Sequence, residues 1–545
     1  MPRRTTIPAL VTGLGVGLLA LAPAGAASAA TIDPVVFADT VTVDGVREHL
    51  NQFQAIADAN GGNRAAGTPG YEASGAYVES VLQAAGYATE RQYFETTTQT
   101  VASESLLIDG TALTPAGEIL EFSPSTTPTT GITAALIAPA DPLGCDAAAW
   151  SGVNATGLIA VVSRGQCTFA EKNLAAQAAG AAGVIIYNNT AGPLSGTLGG
   201  ADPAYIPGFG IEQAQGQSIL AALATDPTLT ATLAIDQTTD DIETFNVIAE
   251  TPTGTADNVV MLGAHLDSVP EGPGINDNGS GSAAILETAV QLAQSGTLNN
   301  KVRFAWWGAE EIGLVGSTYY VDDLLVNDPA ALDRIATYLN FDMVGSPNYV
   351  ISVYDADEST FVAPVEVPAG SIETEDVFTD YFDSIGQPYI DSAFDGRSDY
   401  DAFIANGVAA SGLFTGADDI KTQAEFDLFG GVVGEQHDQN YHLVGDDIDN
   451  INDEALGIMI RAIAFATASL ANDTFAVNGF VNPVPAAPVP PVVPAAVPTL
   501  PATGPDTAPI FATGAGLLLL GLAGLVVTRR RQQAAPVEVG RSDSE

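Results

Sequence analysis

The chain has 545 residues, of which 46% are apolar, 15% charged and 89 Gly or Pro. That excludes collagen, global disorder and a coiled coil, and the length calls for two or three folded units plus processing segments. Seventeen Lys and Arg stand against 65 Asp and Glu, a formal charge of −48, which argues against binding to nucleic acid or an anionic membrane, since both need basic patches to meet phosphate.

Residues 1–29 read as a secretory signal. Arg3 and Arg4 give the positive start, 7–22 the apolar stretch and Ala27-Ser28-Ala29 the small-residue cleavage site. The paired arginines raise a twin-arginine export route, and an N-terminal anchor is the alternative. Residues 30–110 follow as the first part of the main domain. The pattern over 40–92 is helical: Val46, Leu50, Phe53 and Ile56 recur at spacings of three and four, and a second such run covers 71–85.

Beyond Phe94 the texture turns Thr-rich, with short apolar runs and few charges until about Asp236. Residues 111–240 are assigned to an inserted domain. Cys145 and Cys167, 22 residues apart, are too few for a disulfide scaffold and most simply form one bridge in an exported chain. Closing that loop is worth roughly 3 kcal/mol. The stretch Gly157-Leu158-Ile159-Ala160-Val161-Val162, then Arg164-Gly165-Gln166-Cys167-Thr168-Phe169, a helix-like 171–182 and Gly183-Val184-Ile185-Ile186-Tyr187-Asn188-Asn189 resemble the protease-associated (PA) domain. In that family the domain is a small β-rich, non-catalytic lid or substrate-contacting insert.

Residues 241–478 hold the rest of the main domain. Strands are predicted at 247–250, 259–263, 302–307 and 336–341, and a helix at 280–294. The alternation predicts an α/β fold with a central mixed, mostly parallel sheet flanked by helices and its chemistry at strand ends. Residues 479–499, with prolines at 483, 485, 488, 490, 491, 494 and 498, read as an extended polyproline spacer. Leu500-Pro501-Ala502-Thr503-Gly504, an apolar run over 508–528 and a basic tail over 529–545 resemble the LPxTG sorting signal of Gram-positive surface proteins. The run is long enough to span a membrane before sorting. The resemblance implies that a sortase cuts between Thr503 and Gly504 and joins the protein to cell-wall peptidoglycan.

Chemistry-bearing residues cluster after the predicted strands. His265 and Asp267 follow the strand ending at Gly263, and Asp277 lies in Gly274-Ile275-Asn276-Asp277-Asn278-Gly279. Glu310 and Glu311 follow the aromatic strand, Asp342 follows 336–341, and Tyr441-His442 precedes Asp446-Asp447. Each alone has a bland reading as a structural histidine, a solvated acidic pair or a turn. Together, at one edge of a parallel sheet, they would converge on a common crevice. Two carboxylates about 4 Å apart repel by roughly 4 kcal/mol at an effective dielectric near 20, so such a site needs cations or protons. Nitrogen and oxygen ligands without sulfur suit zinc, cobalt or manganese.

The same motifs, with Trp307-Gly308-Ala309-Glu310-Glu311, Asn340-Phe341-Asp342-Met343 and Asp395-Gly396-Arg397-Ser398-Asp399-Tyr400, resemble the family 28 metallopeptidases, nearest to the secreted bacterial di-zinc aminopeptidases. The resemblance implies a zinc-peptidase fold, of the phosphorylase/hydrolase-like type, and two Zn²⁺ per chain. His265 and Asp342 would hold one ion, Glu311 and His442 the other, with Asp277 bridging. Asp267 would orient His265, Glu310 would be the general base, Tyr441 would steady the oxyanion, and Arg397 would line the substrate site. Met343 and Phe414 are candidates for an apolar side-chain pocket, with core packing the alternative. His437 reads as a surface residue rather than a substitute ligand, and His49 as structural. Asp446, Asp447 and Asp449 could hold Ca²⁺ through oxygen ligands, or simply form a solvated acidic loop.

The reading is therefore a zinc exopeptidase that removes N-terminal residues, favouring apolar ones, from peptides at a Gram-positive cell wall. Its alternatives are a carboxypeptidase of the same fold and a non-catalytic surface binding protein. The first needs cationic groups for a terminal carboxylate, and Arg397 is the one assigned here. The second should have lost ligands or the base, and all are present.

Overall fold

The computed structural model describes residues 31–194 and 196–481. The signal segment, most of the Pro-rich spacer, the sorting motif with Thr503 and Gly504, the apolar run over 508–528 and the basic tail lie outside those residues. Helix Val43–Ala59 is capped by Thr42, whose side chain accepts from the Gly45 N–H, and it buries Val46, Leu50, Phe53, Ile56 and Ala57. Helix Pro69–Ala85 starts on the Thr68 cap with proline in its first turn and stops at Gly86, whose φ of 98° is glycine's region. The helical pattern expected through Gln92 ends there: Ala88–Ile108 is a 21-residue strand. Its partner, Thr230–Glu250, lies about 150 residues away and pairs from Ala88↔Glu250 to Ile108↔Ala231, a determinant that local periodicity cannot report.

In the main domain the strands lie in the spatial order Ile390–Ser392, Ser352–Tyr354, Ala410–Phe414, Ile335–Phe341, Thr255–His265, Asn300–Trp307, Thr230–Glu250 and Ala88–Ile108. The four strands Ala410–Phe414, Ile335–Phe341, Thr255–His265 and Asn300–Trp307 are mutually parallel, with antiparallel neighbours on both sides. Apolar clusters cover both faces. Trp306 and Trp307 point into opposite clusters, as the two-residue period of a strand requires. Fully burying such a side chain contributes about 1.5–3 kcal/mol. The predicted helix at 280–294 is observed as Gly281–Leu292, preceded by a tight turn at Ile275–Ser280 that carries Asp277.

The ribbon Ala88–Ile108 and Thr230–Glu250 extends into the PA insert, where Ile132–Ile137 pairs with its far end. Strands Ile132–Ile137, Ile159–Ser163, Gly183–Tyr187 and Gly208–Ile211 then run parallel. Helix Phe169–Ala178 begins with a reciprocal capping box between Thr168 and Glu171. Cys145 and Cys167 are disulfide-bonded. The Lys172 ammonium donates to the carbonyls of Leu143 at 2.8 Å and Gly165 at 2.9 Å, tying both cysteine loops together. Ile312, next to the Glu310-Glu311 pair, packs against the insert's apolar cluster containing Leu120, Phe122, Trp150 and Leu194.

One buried carboxyl sets a pH test of the fold. Glu375, on helix Ser371–Ile385, accepts N–H bonds from Ala356 at 2.8 Å and Asp357 at 3.2 Å. Burial, with Asp357 and Asp355 nearby, pushes its pKa up to about 7. A carboxyl raised on folding binds its proton more tightly in the native state, so stability falls as pH rises from about 4.5 through 7. Glu375→Gln keeps an accepting oxygen and removes that charge. Its Tm gain over wild type should be larger at pH 8 than at pH 4.5, measured by calorimetry; an equal gain at both values would contradict the assignment.

Candidate metal centre and active site

Parallel strands deliver their C-terminal ends to one edge, and the site is built there. His265 ends strand Thr255–His265, Glu310 and Glu311 follow Asn300–Trp307, and Asp342 follows Ile335–Phe341. Asp277 arrives from the turn before helix Gly281–Leu292, and His442 from a loop with left-handed backbone (φ 57°). The Nε2 atom of His265 lies 3.2 Å from Asp277 Oδ1 and 3.2 Å from Asp342 Oδ1. Nε2 of His442 lies 3.2 Å from Asp277 Oδ2 and 3.1 Å from Glu311 Oε2. Asp277 thus turns one oxygen to each imidazole. Two groups that could each hold a metal ion, His265–Asp277–Asp342 and Asp277–Glu311–His442, share it, and within each the donor atoms lie within 4.8 Å of one another.

The donor set fits divalent cations. Oε1 of Glu311 is buried without a hydrogen-bond partner, and His265 Nδ1 is engaged by the Asp267 main-chain oxygen at 3.1 Å, leaving Nε2 to face the carboxylates. Burial works against charge on His265, but Glu310, Asp342 and Asp277 hold its imidazole well above its ordinary pKa. Burial likewise opposes charge on His442, and Tyr441, Glu311 and Asp277 raise its pKa. Burial and then Asp277 push Glu311 up to about 7. Asp277 is buried too, yet hydrogen bonds to both imidazoles hold it far below the usual carboxylate range. Carboxylates and imidazoles crowded in this way suit divalent cations, which would compensate the clustered negative charge.

Glu310 stands apart from both groups: its Oε2 is 3.8 Å from His265 Nε2. Burial, with Asp342, Asp399 and Glu311 adding and His265 opposing, raises its carboxyl well above normal. Asp267 differs from the expectation. Its carboxylate is 3.8 Å from His265 Nδ1, farther than its own main-chain oxygen, and it accepts the N–H groups of Glu310 at 3.2 Å and Glu311 at 3.3 Å. It positions the acidic pair as well as the imidazole. Tyr441 stacks on His442 with ring centroids 3.8 Å apart, and Arg397 donates to Tyr441 Oη at 3.4 Å and to Asp418 at 3.2 Å. Beside Asp277, Glu311 and Asp342 opens a cavity of about 390 Å³, lined by Met343, Phe414, Val350, Tyr354 and Ile390 among others.

Two sequence readings change. His437 is not a surface residue: it is 4% exposed and lines this cavity. Asp446 is not part of a solvated loop: it is 2% exposed. Its two oxygens accept the N–H groups of Asn276 at 2.8 Å and Asp277 at 2.9 Å, and Asp447 accepts from Asp449 N–H at 2.9 Å. Asp446 therefore fixes the backbone at Asp277. Arg64 is a further residue that builds this site. Fully buried, it donates to the carbonyls of Leu266, Pro273 and Gly274, bracing the loop between His265 and Asp277. A lone charge in Gly61-Gly62-Asn63-Arg64-Ala65-Ala66-Gly67, in a chain with 17 basic residues, was the available signal. His49 bonds Tyr77 at 2.7 Å and faces Glu287 at 3.3 Å, a structural role as expected.

The comparisons with known proteins agree with this geometry. A sequence model of peptidase family M28 matches residues 246–467, the PA domain 132–219 and the LPXTG cell wall anchor motif 493–534. A probable leucine aminopeptidase 2 of Aspergillus fumigatus is 44% identical over 413 residues, covering 75% of this chain and 79% of that protein. A probable lipoprotein aminopeptidase of Mycobacterium tuberculosis is 42% identical over 452 residues, covering 82% and 88%. Among solved structures, an aminopeptidase from Aneurinibacillus sp. strain AM-1 superposes with a TM-score of 0.64 at 26% identity, over 83% of this chain and 98% of that one. A zinc aminopeptidase from Bacillus subtilis does so at 0.53 and 26%, over 81% and 97%. Sequence, sheet and site point the same way, and the chain belongs to peptidase family M28, carrying a PA domain insert and the motif that anchors it to the cell wall outside the cell.

Proposed function

We propose that the protein is a di-zinc aminopeptidase that removes apolar N-terminal residues from peptides at the cell surface. One observation carries this reading: Asp277 presents its two oxygens, each at 3.2 Å, to two different imidazoles. His265 and Asp342 would hold one zinc, Glu311 and His442 the other, with Asp277 shared. The names of the relatives and the zinc aminopeptidase neighbour support the same assignment.

When bound, the two ions supply Lewis acidity that polarises the scissile carbonyl and lowers the pKa of a water towards about 7. The chain's residues do the rest. Glu310, held by Asp267 through its N–H, takes a proton from the attacking water and passes it to the leaving amine. The Tyr441 hydroxyl, kept protonated by burial, donates to the developing oxyanion. Arg397 orients Tyr441 at 3.4 Å. The substrate's free amine meets carboxylates beside the zinc ligands, and Met343 and Phe414 take its side chain in the cavity. A carboxypeptidase would need a cation to grip a terminal carboxylate; Arg397 is already paired with Asp418 at 3.2 Å.

A panel of aminoacyl p-nitroanilides and N-acetylated counterparts, assayed with and without chelator, tests this. Free-amine substrates should be cleaved, acetylated ones not, and chelator should abolish turnover until zinc is restored. Cleavage of acetylated substrates would overturn the aminopeptidase assignment.

A further inference from the structure

Strand ends place His265, Glu310, Glu311 and Asp342, but Asp277 and His442 come from a turn and a loop. Something other than the sheet must set the distance between those two. The Tyr441-His442 pair sits between two buried aspartates, Asp438 and Asp446. Both reach across to the segment that carries Asp277. Asp446 accepts the N–H groups of Asn276 at 2.8 Å and Asp277 at 2.9 Å, and Asp438 Oδ2 accepts from the Asn276 side chain at 2.7 Å. The loop bearing His442 is therefore gripped at both ends by the turn that it faces.

One further side chain closes this clasp. Asn450, buried in the short helical turn Ile448–Asn450, donates from Nδ2 to Asp438 Oδ2 at 2.9 Å and to Asp446 Oδ1 at 3.0 Å. Its Oδ1 accepts from Asn440 Nδ2 at 2.7 Å, one residue before Tyr441. Both polar atoms of the amide are thus spent on the loop that bears Tyr441 and His442. Neighbouring carboxylates repel more strongly where the dielectric is low, and Asn450 supplies a donor to both without adding a charge. Removing the amide takes that shared donor from two buried acceptors and lets the ends of the loop separate. His442 would then shift from its places 3.2 Å from Asp277 and 3.1 Å from Glu311. The other group is held by different contacts: Ser398 donates to Asp342 at 2.6 Å, and the Asp267 main-chain oxygen engages His265 at 3.1 Å.

We infer that Asn450 is a positioning residue for the reaction. It fixes His442 and Tyr441 against Asp277, and through His442 it governs metal binding by Asp277, Glu311 and His442 while leaving His265 and Asp342 undisturbed. The inference rests on the two-metal reading of the site and adds a residue that acts only through the loop.

Zinc titrated calorimetrically into the chelator-stripped full chain tests this without any assay of activity. Wild type should bind two ions. Asn450→Ala should weaken one of them by about 10- to 100-fold, as the loss of an outer partner of a metal ligand does, and leave the other within about threefold. His442→Ala should cost that same ion, and adding Asn450→Ala to it should change the remaining affinity by less than about threefold, since both substitutions act on one site. Asn452→Ala is the control for general destabilisation. It removes the cap of the next helix, whose Glu454 N–H donates to Asn452 at 2.9 Å, and both ions should stay at wild-type affinity. Equal weakening of both ions in Asn450→Ala, no weakening of either, or the same one-ion loss in Asn452→Ala would overturn the proposal. Should Asn450→Ala fail to fold, Asn440→Ala, which removes only the bond to Asn450 Oδ1 and the side chain that makes it, decides by the same one-ion criterion. A folded wild type that binds no zinc would instead bring down the two-metal reading itself.

Discussion

Glu310→Ala should lower kcat by a factor of about 10² or more, with zinc content and fold unchanged. The prediction follows from where the side chain sits. Glu310 belongs to neither of the two candidate metal-binding groups, and its Oε2 is 3.8 Å from His265 Nε2 where Asp277 and Asp342 are at 3.2 Å. Its backbone is fixed by Asp267, which accepts its N–H at 3.2 Å, so truncating the side chain leaves the loop braced. The loss should appear in kcat more than in KM, because the group acts on the transferring proton rather than on binding. Normal turnover in a folded, zinc-loaded variant would remove Glu310 from its role. Loss of zinc in that variant would instead make it a ligand.

Asp277→Asn has the larger structural consequence. The carboxylate is 5% exposed and faces both imidazoles, and its main-chain N–H is held by Asp446 at 2.9 Å. The amide keeps the shape of the side chain but offers a single oxygen and no charge. Breaking a buried charge pair by removing one partner costs about 3–5 kcal/mol, which is about 10² to nearly 10⁴ in affinity at 1.4 kcal/mol per tenfold. Zinc retained after gel filtration should fall to one ion per chain or fewer, and kcat/KM should fall at least in proportion. Retention of two tightly held ions in this variant would show that Asp277 does not bridge.

The parts of the site that were legible in the sequence are those fixed by strand ends. His265, Glu310, Glu311 and Asp342 each follow a run of apolar, β-branched or aromatic residues, and parallel pairing brings such ends together whatever the details of the loops. The parts that were not legible depend on pairings between distant segments. Ala88–Ile108 is a strand because Thr230–Glu250 lies beside it, so its first residues carry no local sign of leaving the helical pattern. His437 is buried by its pairing with Asp419, and a histidine among Gly, Glu, Gln and Asp reads locally as exposed. Arg64 and Asp446 brace the Asp277 loop from about 200 and 170 residues away. Asp267 holds both the imidazole and the Glu310-Glu311 amides, and only the spacing to His265 was visible. The PA insert is similar: its core was recognisable from its strands, whereas the contact of Ile312 with it required the assembled fold.

In the proposed site, residues from five separate segments hold a pair of metal ions. Elemental analysis of the purified, folded chain, reconstituted with zinc and freed of excess metal, tests it most directly. Wild type should hold two zinc ions per chain, with aminopeptidase activity rising as they are restored. A folded chain that retains no stoichiometric zinc, or that turns over peptides undiminished without any transition metal, would contradict it.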